Sequence, residues 1–146
     1  MIFNLSKKLE YTKKGDFTET ASLEFTAPGM AQYDVAMDLS QLIMGAILDA
    51  QKHAPKPTEE EKKVADVDVT FDREAVRVIL LSSQSIKFKD IAAKFQRLAC
   101  DIGTCDGEVK LTKELLAKLE VNDYTNLVCD YVVNFIAPSL FSMEGV

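Results

Sequence analysis

The sequence predicts an α+β fold that is mainly α-helical: an N-terminal β-hairpin followed by a compact bundle of about four to five helices. Three observations carry this. Two runs with alternating apolar residues flank a Lys-Gly-Asp turn near residue 15. Residues 30–53 and 111–141 place apolar side chains at helical spacing. A chain of 146 residues, 47% hydrophobic and 27% charged, is long enough to bury a core and short enough to be one domain. The expected organisation is a single domain over 1–146. It divides into a hairpin at 1–27, a long helix at 30–54, a charged linker at 55–66 and a helical part at 67–146 that ends in a helical hairpin.

In the first segment, Ile2, Phe3, Leu5, Leu9 and Tyr11 lead into Thr12-Lys13-Lys14-Gly15-Asp16. Phe17, Ala21, Leu23 and Phe25 follow, separated by polar residues. An isolated hairpin is marginal in water, so it must pack on the helices or pair with another chain. Pro28-Gly29 ends the second strand.

Over residues 30–53, Asp34, Asp38, Gln41, Asp49 and Lys52 collect with Gly45 on one narrow polar stripe. Tyr33, Val35, Met37, Leu39, Leu42, Ile43, Met44, Ile47 and Leu48 spread around most of the remaining circumference. That is far wider than the usual apolar face of a surface helix. It fits a helix sandwiched inside a bundle, or a second apolar face kept for a partner, with Met37 and Met44 as adaptable contacts.

Pro55-Lys56-Pro57 stops this helix, Thr58 to Lys63 forms a charged linker or a frayed helix start, and Val64 to Phe71 suits a short strand or extended connection. Asp72 is the expected N-cap for a helix over 73–81. Ser82-Ser83 breaks it, and Ser85 leads into the next helix, Lys87 to Cys100, whose apolar set is Phe88, Ile91, Phe95 and Leu98. Gly103 to Gly107 reads as a turn, and Thr112 as the N-cap of a short helix to Leu119. In the last helix, Asp123, Asn126, Asp130 and Asn134 line one stripe. Tyr124, Leu127, Val128, Tyr131, Val132, Phe135 and Ile136 cover well over half the circumference, and Pro138 closes the helix. Two helices with surplus apolar surface favour an interaction protein, although mutual packing in a core explains the pattern equally well.

Charge narrows the function classes. The net charge is −6, and residues 101–146 alone carry three Lys against eight acids. An acidic chain without a basic cluster is poorly suited to the phosphate backbone, so nucleic acid is not an expected partner. No apolar run reaches the length of a membrane span, and MIFNLSKKLE lacks the pattern of a secretory leader. Cys100, Cys105 and Cys129 are an odd number, which fits reduced thiols in a cytosol.

Candidates for chemistry are weak. The three cysteines with His53 could supply four zinc ligands, but CDIGTC has the wrong gap for paired structural ligands. Residues 101–108 lack the oxygen ligands and the placed glycine of a calcium loop. The lone histidine, His53, sits near Pro55 at a helix end. Asp34 and Asp38 lie one turn apart, where a solvated face accounts for them, and no glycine-rich phosphate loop occurs. The expectation is no enzyme, no catalytic residues, no metal and no cofactor.

Three stretches in the second half resemble tail assembly chaperones of long-tailed bacteriophages. The first is VRVILLSSQSIKFKDIAAKF, a helix ending in a small-polar break before another helix. The second is the glycine-rich turn leading into Leu111-Thr112-Lys113-Glu114-Leu115-Leu116. The third runs from Leu119-Glu120-Val121-Asn122-Asp123-Tyr124 into Asp130-Tyr131-Val132-Val133-Asn134-Phe135, with Pro138-Ser139 after it. The opening LEYTKKGDF and LEFTAP are similar to the family's first hairpin, and the charged linker at 55–66 has no counterpart. The resemblance implies a late protein of the host cell cytoplasm, absent from the finished particle. Such a protein binds the helical tape-measure protein, helps recruit tail-tube subunits and has no catalytic residues. A longer frameshifted form is common in the family, and the closing SMEGV is compatible with the short form.

Physical reasoning adds two expectations. An amphipathic tape-measure helix needs an apolar groove to hold it, and surplus apolar surface also favours a homo-oligomer. Two other readings stand beside this one. The first is another phage structural or adaptor protein, in the tail or at the head–tail junction. The second is a small metal-dependent enzyme built on the cysteines and His53.

Overall fold

The computed structural model describes residues 1–53, 72–105 and 107–136. The linker at 55–66, the stretch to Phe71 and Pro138 therefore lie outside the described residues. Strand β1 (Ile2–Lys13) and strand β2 (Asp16–Phe25) form the expected antiparallel hairpin. Lys14 and Gly15 make its two-residue loop, with φ of 51° and 86°. Positive φ at both positions is the turn whose twist matches the flanking strands, and Gly15 takes it without a Cβ penalty.

The register shifts between Asn4 and Leu9, so β1 bulges over Ser6. Asp123 fills that bulge. Its carboxylate accepts hydrogen bonds from the Ser6 backbone N–H at 3.2 Å and from the Ser6 hydroxyl at 2.9 Å.

A single 3-10 turn (Met30–Gln32) leads into α1 (Tyr33–His53). Helix α2 (Arg73–Ser82) starts where Asp72 caps the Ala75 N–H at 2.9 Å. Helix α3 covers Phe88–Ile102 with Lys87 at its N-cap, within one residue of the expected start at Lys87 and two residues past the expected end at Cys100. The break before it is held from two sides: the Ser83 hydroxyl accepts from Ile86 N, and the Asp49 carboxylate accepts from Ser83 Oγ, Gln84 N and Ser85 N. This carboxylate holds residues 83–85 in a turn.

The Gly103–Gly107 region departs from the expected turn. Gly103–Thr104 forms a third strand, β3, antiparallel to β2, giving the sheet order β1-β2-β3. Gly103 is needed there. A Cβ at this position would stand 2.6 Å from Leu111 Cδ1 and 2.7 Å from both Ala99 O and Phe25 Cε1. Thr112 caps α4 (Lys113–Ala117) as expected, accepting from Leu115 N. Helix α5 (Val121–Tyr131) ends in a π-helical turn over Val132–Ile136.

One continuous core joins the sheet to the helices. It includes Phe3, Leu23 and Phe25 from the sheet, Leu39 and Ile43 from α1, Ile91 and Phe95 from α3, and Leu127 and Tyr131 from α5. Tyr131 lies between Phe25, Phe95 and Phe135, with ring centroids 4.9–6.2 Å away. Its hydroxyl donates to Thr26 O at 3.2 Å. No helix among the described residues is long and apolar enough to cross a membrane.

Candidate functional site

An apolar groove of about 420 Å³ lies between α3 and the α4–α5 corner. Phe88, Ala92, Ala93 and Gln96 form one wall. Residues 88, 92 and 96 recur every fourth position, so they share a face of α3, away from the Ile91, Phe95 and Leu98 face that enters the core. Leu116, Ala117 and Leu119 form the other wall, with Tyr124 and Thr125 along the base and Val121 also lining it.

The polar atoms at the base are already engaged. Tyr124 Oη donates to Ala92 O at 2.7 Å, tying α5 to α3, and Thr125 Oγ1 donates to Val121 O at 2.8 Å. Burial pushes the Tyr124 phenol well above its ordinary pKa, so it stays a neutral donor. The groove is therefore lined mainly by carbon, with Gln96 in one wall and Lys89 the charged side chain at its edge. Val121, 83% exposed, stands at the mouth. From Phe88 to Gln96 the wall is roughly 12 Å long, at about 1.5 Å per residue, enough for two turns of a docked helix. Small Ala92, Ala93 and Ala117 let a helix backbone come close.

A second concavity, about 370 Å³, lies between the start of α1 and the π-helical turn. Met30, Tyr33, Met37 and Ile136 are among its lining residues.

The two helices singled out by their surplus apolar residues differ. In α5, Leu127, Val128, Cys129, Tyr131 and Val132 are all buried, so its apolar arc is core. Its polar stripe is used as well. Asp123 is 4% exposed and holds Ser6, Arg77 bonds Asn122 and Asn126, and Arg73 donates two hydrogen bonds to the Asp130 carboxylate. In α1, Tyr33 and Leu48 remain 53% exposed and Met37 40%. Asp49, which sequence placed on the polar stripe of α1, is buried against the 83–85 turn.

The residues weighed for chemistry are dispersed. Cys100 is half-buried and Cys105 and Cys129 are buried, and burial pushes Cys129 up to about 11. Among the described residues no group of three His, Cys, Asp or Glu could hold a metal ion. Asp34 and Asp38 are exposed on α1, and Asp38 pairs with Lys94 of α3 at 3.2 Å. The side chain of His53 lies outside the described residues.

The groove itself was not legible in the sequence. Its walls are made largely by alanines, which carry little signal in an apolar periodicity. The Ala92-Ala93 pair opposite Ala117 is the one clue that could have pointed to a close helix approach. The chain matches no protein-family model, no curated protein and no solved structure.

Proposed function

We propose that this chain is a phage tail assembly chaperone of the host cell cytoplasm that binds amphipathic helical segments of the tape-measure protein. It assists assembly of the tail tube around them and performs no chemistry. The observation that supports this most is the carbon-lined groove between α3 and α5. Its hydroxyls are spent internally, its alanine walls admit a helix, and its length suits apolar anchors at i, i+3 or i+4, and i+7. The resemblance of residues 76–95 and 111–139 to the chaperone family supplies the identity of the partner.

Co-expression tests the proposal. The adjacent tape-measure protein should become more soluble and co-purify with the chain. Ala93→Glu, which sets a charge in the groove from an exposed position, should weaken that capture at least tenfold while leaving the fold intact. Absence of co-purification, or full capture by the glutamate variant, would reject the groove as the binding site. Mass spectrometry of purified particles separates the runner-up reading: a chaperone is missing from them, whereas a tail or head–tail adaptor is present.

A further inference from the structure

The exposed side of α1 has a spacing that fits a second copy of itself. At about 100° per residue, Tyr33, Met37, Ser40, Met44 and Leu48 fall on one narrow stripe. Tyr33, Met37 and Leu48 are exposed, and Ser40 and Met44 are half-buried. When two identical helices pair across a two-fold axis, the patch must be complementary to itself. An axis at the midpoint between Ser40 and Gln41, with the helices antiparallel, sets Tyr33 against Leu48 and Met37 against Met44. Every large apolar side chain then meets an apolar partner, and the small Ser40 sits beside the axis where the backbones come closest. A shift of one turn either way strands Leu48 or Tyr33 beyond the end of the partner's stripe.

We infer that the chain forms a two-fold homodimer through α1, with the two copies antiparallel about Ser40–Gln41. Electrostatics selects the orientation. Each copy carries a net charge of −6, and Asp34 flanks the stripe. In the antiparallel pair the two Asp34 carboxylates stand roughly 20 Å apart along the helices, at about 1.5 Å per residue. That is about twice the screening length at physiological salt. A parallel pair would set them side by side. The stripe itself has no charged residue to desolvate. It spans about 22 Å, a single pair of helices, so the interface lies at the small end of specific interfaces and the dimer depends on chain concentration. The stripe shares no residue with the α3–α5 groove. A dimer therefore offers two grooves to one partner, and a long protein with repeated helical segments gains from the second.

The test uses the chain alone, so it is independent of the tape-measure reading. Light scattering on a sizing column, from low to high micromolar, should show the mass rise from 16.2 kDa towards twice that value. Tyr33→Lys combined with Leu48→Lys, both at well-exposed positions, should weaken the dimer at least tenfold with an unchanged circular dichroism spectrum. Orientation is read by cross-linking. Met37→Cys with Met44→Cys should give a covalent dimer when oxygen and a copper catalyst remove the two electrons, above the background of the native thiols. Met37→Cys alone should give far less. A wild-type chain that stays at 16.2 kDa, whatever else covers the stripe, overturns the inference, as does a lysine pair that dimerises normally. Equal cross-linking by the single variant overturns the antiparallel arrangement.

Discussion

Helices α1 and α5 look alike in sequence and end differently. Each has one narrow polar stripe and far more apolar surface than a single core face uses. In α5 the apolar arc surrounds Tyr131 and Leu127 in the core, and the polar stripe docks on the rest of the protein through Asp123, Asn126 and Asp130. In α1 one face reaches the core through Leu39, Ile43 and Ala46, while Tyr33, Met37 and Leu48 stay in solvent. A wide apolar arc therefore states how much contact a helix wants, without saying whether the same chain supplies it. The polar stripes separate them less. That of α5 finds partners on β1 and α2, and in α1 Asp49 and Asp38 find them on the 83–85 turn and α3.

The sharpest way to break this contrast is Tyr131→Ala. Removing a fully buried aromatic side chain and its bond to Thr26 should cost about 3–5 kcal/mol, read from denaturant unfolding. A loss as small as that of a surface change would mean that α5 is not the core helix.

Asp123→Ala probes the polar side of the same helix. It leaves the Ser6 N–H and hydroxyl without their acceptor under α5, at a cost of about 1–3 kcal/mol. Asp123→Asn, which retains an acceptor, should recover part of it. If the alanine variant matches the wild type, the stripe of α5 is no more engaged than that of α1.

A smaller effect is expected at Asp49, the one acid of α1 that is drawn inside. Hydrogen bonds from Gln84 N, the Ser83 hydroxyl and Ser85 N lower it to about 2, against about 3.9 in an unfolded chain. Between those values the unfolded state holds more protons, so stability rises with pH. The contribution is complete above about pH 4 and is lost as pH falls through 2. Unfolding midpoints from pH 2 to 5 should show a steeper slope for the wild type than for Asp49→Asn. Equal slopes would place the carboxylate in solvent with its neighbours on the stripe. The smallest effect belongs to Leu48→Ser. At low protein concentration, where the chain is monomeric, it should change stability by less than about 0.5 kcal/mol.

Local chemistry was the legible part of this fold. The Lys14-Gly15 turn, the caps at Asp72 and Thr112 and the Ser82-Ser83 break act within four residues of the chain, and each lies where the residue types indicate. Distant partners decided what was missed. Strand β3 has only Gly103 and Thr104, too few residues to alternate. Its identity rests on a missing Cβ between Ala99, Leu111 and Phe25. The turn at 83–85 is likewise held from afar, by a carboxylate 34–36 residues upstream. The groove escaped notice because alanine is compatible with every face of a helix.

The bulge in β1 has a consequence for crowding. A sheet invites foreign strands along any edge with unpaired backbone groups. On the β2 side the sheet is extended only by the two residues of β3, opposite Glu24 and Phe25. Along β1, Asp123 takes the Ser6 N–H and Lys118 Nζ reaches Glu10 O at 3.4 Å. An intruding strand would meet an interrupted ladder along β1. At high local concentration that break limits strand exchange between copies of the chain.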